Sequence, residues 1–216
     1  MKTFSTGGWN GLRASLLVGL TAVLLVGCSG PRMYIHPSPG LDRIRRVAVL
    51  PFENNTKEMK AAERVRTQFV IELLRLGYFD VVDPGEVDRK MQAQNLSYEA
   101  GQELVPPIRT AEKAEETEIF EPLTRVMGEV LGVEAILVGS VDAYSANRVG
   151  DRTVPEVAIS ARLLDAETGI IIWAATHSRR GRAGLPFLGW GRITSLSDLS
   201  QKVVEAMVQS LAEYAP

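Results

Sequence analysis

An uncharged apolar stretch, Ala14 to Gly27, runs straight into Cys28, the one cysteine of the 216-residue chain, and these two features limit everything that follows them. With a single thiol there is no internal disulfide and no cysteine-built metal cluster, so a folded domain must be held by its own hydrophobic core. A bilayer span asks for about 20 apolar residues, more than this stretch supplies. Behind the weakly basic start given by Lys2 and Arg13 it fits the middle of a secretory signal, which runs about 7–15 residues. It closes on Leu25-Val26-Gly27-Cys28, which resembles the lipobox of exported lipoproteins. The small Gly27 gives the processing peptidase access, and the Cys28 thiol is the nucleophile that takes up the lipid.

Residues 1–27 are therefore read as a lipoprotein signal peptide, and the expected attachment is to a membrane through acyl chains on Cys28. Each buried methylene contributes about 0.8 kcal/mol, and lasting attachment needs more than one chain. Ser29 is not the Asp that commonly retains such proteins at the inner membrane, so the expected location is the outer membrane, facing the periplasm. Loss of Lys2 and Arg13 takes the formal charge from −2 to −4, which leaves no basic field for nucleic acid.

Residues 28–43 contain Pro31, Pro37 and Pro39 and no apolar period, and read as a flexible tether. The remainder, 44–216, has the size and apolar content of one domain. Arg46 to Phe52 is a short apolar run and the first strand, with Pro51 marking an edge or an end. The polar turn Glu53-Asn54-Asn55-Thr56 offers capping groups to a helix over Lys57–Leu76. Its stripe is Ala62, Val65, Phe69, Leu73 and Leu76, with Arg64, Arg66, Glu72 and Arg75 off it. Gly77 ends that helix. Phe79 to Val82 is a second strand, and Asp83-Pro84 opens a helix to about Asn95. From Leu96 to Glu118 the pattern weakens into an irregular insertion. Helical spacing returns from Glu121 to Leu131 (Leu123, Val126, Met127, Val130) and closes at Gly132. Three strands follow, at Ala135–Tyr144, Val154–Leu164 and Ile170–Thr176. Gly139 marks a point of close approach in the first, and the turn Asp165–Gly169 joins the last two. Ser195 to about Tyr214 is a terminal helix, with Leu199, Val203, Ala206, Met207, Ser210 and Leu211 on one face. The order implies an α+β fold, a mixed β-sheet covered by α-helices.

The chemistry of catalysis is missing from this pattern. A hydrolase or transferase needs an activated nucleophile or a metal with an open position. The chain has two histidines: His36 in the tether, and His177 at a strand end beside Ser178, Arg179 and Arg180, read as a surface residue. Glu53, Asp80, Asp83, Asp142 and Asp165 fall at strand ends, where turns and caps favour acidic residues. No phosphate loop, zinc spacing or nucleophile elbow is present. The expectation is a protein without catalytic residues, cofactor or metal. One segment stands apart: residues 181–192 place Leu185, Phe187, Leu188 and Trp190 among glycines and arginines. They are either aromatics folded over the core or an exposed apolar tip for a partner groove or a lipid headgroup layer.

Several segments in order, RRVAVLPFENNT, LLRLGYFDVVD, LGVEAILVGSVDAYS and AISARLLDAETGIIIWAATHS, resemble the soluble domain of the CsgG family. LpoB-type activators of peptidoglycan synthases and the amino-terminal domain of TolB share the arrangement. The resemblance spans roughly residues 44–178 and implies a single CsgG/LpoB-like periplasmic domain with no catalytic residues. It also implies a non-catalytic, lipid-anchored interaction module that binds an envelope protein and assists assembly or regulation of an envelope machine, such as peptidoglycan synthesis or secretion. The alternative is a self-associating, ring-forming CsgG-like component of an outer-membrane secretion apparatus. A strand crossing the outer membrane needs about 9–11 residues. The connection between Tyr144 and Val154, SANRVGDRT, is too short and too charged to supply a pair of them. After Thr176 the glycines, Pro186 and arginines break a barrel strand's alternation. The periplasmic domain is therefore expected without the pore.

Overall fold

In a computed structural model, the described residues are 30–94, 96, 123–149, 152–181 and 195–215. Pro31–Pro216 forms one compact unit. Its strands are β1 (Arg32–Ile35), β2 (Arg46–Val49), β3 (Glu53–Asn54), β4 (Asp80–Val81), β5 (Ala135–Val149), β6 (Arg152–Asp165) and β7 (Ile171–Arg180). Its helices are α1 (Ala61–Leu76), α2 (Pro84–Ala93), α3 (Leu123–Leu131) and α4 (Leu196–Ala212). Among the described residues the seven strands form one open sheet in the order β1-β7-β6-β5-β2-β4, with β3 paired to the far half of β5. β2 runs parallel to β4 and β5, while β5, β6, β7 and β1 are antiparallel in turn. This is the α+β mixed sheet expected from the sequence.

Alternation along β5 assigns its side chains to two cores. Ala135, Leu137, Val141 and Tyr144 face α1 and α4, packing with Phe69, Leu73, Trp173, Val203 and Met207. Ile136 and Val138 face the opposite layer, where α2 and α3 contribute Val87, Met91, Met127 and Leu131. The α1 stripe is buried as its spacing predicts, at Val65, Phe69 and Leu73. Trp173 is fully buried and donates its indole N–H to Ser210 Oγ at 3.3 Å. α3 is rotated from the expected face: Thr124, Met127, Gly128 and Leu131 are buried and Val126 is 36% exposed. Gly128 explains the rotation, because a Cβ there would lie 2.7 Å from the Ala166 Cβ, so the helix seats its glycine against the β6–β7 turn.

Four other expectations are corrected. Residues 32–43 are not a free tether. β1 pairs with β7 from Arg32↔Thr176 to Ile35↔Trp173, half-burying Met33 and Ile35, and a 3-10 turn at Leu41–Arg43 buries Leu41. The prolines flank the strand, at 31, 37 and 39, and so cost it no ladder hydrogen bond. α1 begins at Ala61 instead of Lys57, because the polar turn satisfies itself: Asn54 Oδ1 accepts from the Thr56 N–H and hydroxyl, and Asn54 Nδ2 donates to Glu58 O. Arg66 is buried, off the apolar stripe but not solvated. Its Nε donates to Val49 O at 3.0 Å and its Nη1 pairs with Asp88 at 2.9 Å, bolting α1 to the end of β2 and to α2. Finally, the connection after Tyr144 is not a loop. β5 and β6 continue as a ladder to Val149↔Arg152, four pairs past the last β7 partner pair, Glu156↔Arg180.

Gly139 does mark a close approach, since a Cβ there would lie 2.4 Å from Phe52 Cε1 and 2.6 Å from the Ser160 carbonyl oxygen. A backbone atom cannot swing aside, so Gly139→Ala is expected to cost about 1–3 kcal/mol, the usual cost of overpacking. Urea denaturation checks this, and an unchanged midpoint would contradict the packing described.

Candidate functional site

The β6–β7 turn, Asp165 to Gly169, separates two clefts at one end of the sheet. On one side a cleft of about 550 Å³ is lined by Arg43, Arg125, Glu129, Glu134, Asp165 and Glu167 around Gly128, Gly132 and Val133. On the other an apolar cleft of about 480 Å³ lies between Tyr34 and His36 and the turn residues Thr168, Gly169 and Ile170, with Leu164 and Ile171 at its floor. Tyr34 and Ile170 are each 49% exposed at its rim.

Local chemistry holds the turn rigid. Asp165 is buried, and its Oδ1 accepts from the Thr168 N–H and hydroxyl, both at 2.8 Å. Its Oδ2 pairs with Arg43 Nη2 at 3.3 Å. Gly169 takes φ +70°, a conformation that favours glycine. In the charged cleft Glu134 Oε2 accepts from the N–H groups of Arg46 (2.6 Å) and Arg45 (3.2 Å), and Arg125 approaches Glu167 at 3.9 Å. The acids of this cleft are thus partly spent on structure. Two acids, Glu129 and Glu167, and an apolar neighbour suit recognition. Among the described residues, no serine, cysteine or histidine lines the charged cleft.

The other residues singled out by sequence are dispersed. Asp83 caps α2, accepting from the Glu86 N–H at 3.0 Å. Asp142 sits at the β5 bulge on an exposed part of the sheet, accepting from Ser140, Ser160 and Asn55. Glu53 is in β3, paired with β5, and Asp80 is in β4, paired with β2. The Nδ1 of His36 accepts from the Ser38 N–H at 3.1 Å. Leu25, Val26, Gly27 and Cys28 lie outside the described residues, as do Leu185, Phe187, Leu188 and Trp190 and the insertion over 97–118. Among the described residues no group of three His, Cys, Asp or Glu side chains could hold a metal, and no helix is long and apolar enough to cross a membrane.

His177 is not at the surface as read from sequence. β7 extends past it to Arg180, and its side chain is only 6% exposed, opposite Ile159. Burial, and secondarily the charge of Arg179, hold its pKa below the ordinary value of 6.5. As pH falls through about 6.5, the unfolded chain therefore takes up this proton before the folded one does. Stability is full above that pH and is lost on acidification. The melting temperature is expected to fall between pH 7.5 and pH 5.5, and His177→Gln to flatten that fall; equal slopes for both proteins would contradict it. The same burial makes His177→Ala a cavity-forming change, and so a poor probe of function.

No protein-family profile matches the chain, and no curated protein matches it. Solved structures do match, and they define a fold class. The PelC dodecamer from Paraburkholderia phytofirmans superposes with a TM-score of 0.52 at 20% identity, covering 84% of this chain and 96% of that one. Lipoprotein GNA1162 from Neisseria meningitidis gives 0.52 at 17% identity, covering 78% and 99%. The LpoB carboxy-terminal domain from Salmonella enterica is more distant, at 0.41 and 16% identity over 62% and 82%. The chain has the fold of the first two, and it is on their architecture that the assignment rests.

Proposed function

We propose that the chain is a non-catalytic lipoprotein, acylated on Cys28 and held at the outer membrane facing the periplasm, that recognises an envelope protein through the β6–β7 turn. One observation carries this reading beyond the lipobox. The chain arrives from Cys28 at the Arg32 end of β1, whereas both clefts lie at the opposite end, beyond Ile35. Tyr34, Ile170 and the acids Glu129 and Glu167 thus share the end of the sheet away from Arg32, the β1 residue nearest Cys28 in the sequence. An apolar patch rimmed by charge is the composition of a protein contact. The service such a module performs is assembly or regulation of an envelope machine, such as peptidoglycan synthesis or secretion.

A second reading has a specific observation in its favour, since PelC, which shares the fold, is described as a dodecamer. On that reading the chain assembles into a ring for transport. Among the described residues the β5–β6 extension has four ladder pairs beyond β7, short of the about 9–11 residues per strand that crossing asks for.

Cys28→Ala is expected to move the protein from the membrane to the soluble fraction of the envelope, with loss of the acyl mass from the amino-terminal peptide. Retention in the membrane would contradict the anchoring. Ile170→Glu places a charge in the apolar cleft at a half-exposed position. It is expected to lower recovery of the co-purifying envelope protein by about tenfold, roughly 1.4 kcal/mol, with little change in melting temperature. Undiminished recovery would remove the turn from the interface.

A further inference from the structure

β1 is an edge of the sheet, and its register with β7 fixes which of its backbone groups are already spent. His36 donates its N–H to Ile172 O at 2.8 Å, continuing the pairing of Ile35 with Trp173. Hydrogen-bonded positions alternate in an antiparallel ladder, so Arg32, Tyr34 and His36 turn their N–H and C=O toward β7. Met33 and Ile35 turn theirs outward, where they meet no hydrogen-bond partner among the described residues. Pro31 and Pro37 flank them and have no N–H to give, so between the prolines the open donors are those of Met33 and Ile35. The other edge of the sheet, β4, is blunted by being two residues long.

Side chains alternate along the same strand. Met33 and Ile35 are half-buried against the α1–α4 core, while Tyr34 and His36 line the apolar cleft beside Ile170 and Ile171. Arg32 shares the face of Tyr34, is exposed, and forms no ion pair among the described residues. The open amides and the cleft are therefore adjacent, and one extended chain lying along β1 reaches both.

We infer that the envelope protein adds a short extended segment to the β1 edge as a further strand, bonded to the main chain of Met33 and Ile35. This rests on the proposed recognition at the β6–β7 turn and specifies its form. Position dictates the segment's chemistry. On the cleft face, a large apolar side chain opposite His36 fills the cleft, and an acid opposite Arg32 pairs with its guanidinium. A second copy of β1 does not supply that pattern. Paired about Tyr34, the register that engages Met33 and Ile35 of both copies, it sets its own Arg32 opposite His36 and so brings a cation to an apolar cleft.

The test uses the full chain purified from the envelope together with the envelope protein that co-purifies with it. Hydrogen exchange is read by mass spectrometry in the peptide covering Arg32–His36. Complex formation is expected to lower its uptake by about two deuterons at the shortest labelling time, one for each outward amide. Met33→Pro removes an outward donor and no bond to β7, and is expected to lower recovery of the co-purifying protein about tenfold. Arg32→Glu is expected to do the same by setting like charges face to face. Unchanged uptake in the complex, or recovery undiminished by Met33→Pro, while Ile170→Glu still lowers recovery, would overturn the inference and leave recognition at the turn standing. Full recovery with Arg32→Glu would overturn the acidic chemistry assigned to the segment. No co-purifying protein, or recovery indifferent to Ile170→Glu and Met33→Pro alike, would overturn both readings. Slow exchange of the same peptide in the chain alone, at the native size of two chains, would give the edge to a second copy and overturn the inference.

Discussion

β5 is the constraint on which the rest of the structure depends, because one strand is shared by two cores. Its odd positions from Ala135 to Val141 fill the layer under α1 and α4, and Ile136 and Val138 fill the layer under α2 and α3. A one-residue slip would exchange the two sets and expose both cores at once. The register is pinned where slip would be hardest. Gly139 admits the Phe52 ring and the Ser160 carbonyl into space that any side chain would occupy. Three residues on, the bulge at Asp142 shifts the pairing so that Tyr144 still points into the α1–α4 core. Arg66 then ties the layers together through the end of β2, reaching Val49 O on one side and Asp88 on the other.

That frame gives the molecule two unlike ends. At one, strands β1 and β7 end beside the long ribbon, and the chain leads back to the expected lipid site. At the other, a turn stiffened by Asp165 and Gly169 divides a charged cleft from an apolar one.

Much of the fold was legible in the sequence, for reasons that differ by element. α1 and α4 announced themselves through apolar spacing, and Gly77, Gly132 and Gly169 stood where positive φ was needed, as found at φ +69°, +68° and +70°. β1 was missed because four residues between prolines, with only half-burial at Met33 and Ile35, carry too little alternation to outweigh proline as a linker signal. The ribbon was missed because its polar residues read as a loop; pairing between neighbouring strands, not burial, is what holds it. Tyr34 and Ile170 were overlooked as a site because the first lay in the supposed tether and the second in a strand, and only the β1–β7 pairing brings them to one cleft. His177 was read as exposed because its neighbours Ser178, Arg179 and Arg180 are.

The account stands on the proposed recognition of a different protein at the β6–β7 turn. The most direct measurement places a photoreactive side chain at position 170 in the acylated protein inside the cell and identifies what it captures. A distinct envelope protein joined at that position, together with a native size near that of a single chain, is the expected result. Capture of further copies of the same chain, in a sharp ring-sized assembly, would contradict it and establish the transport ring instead.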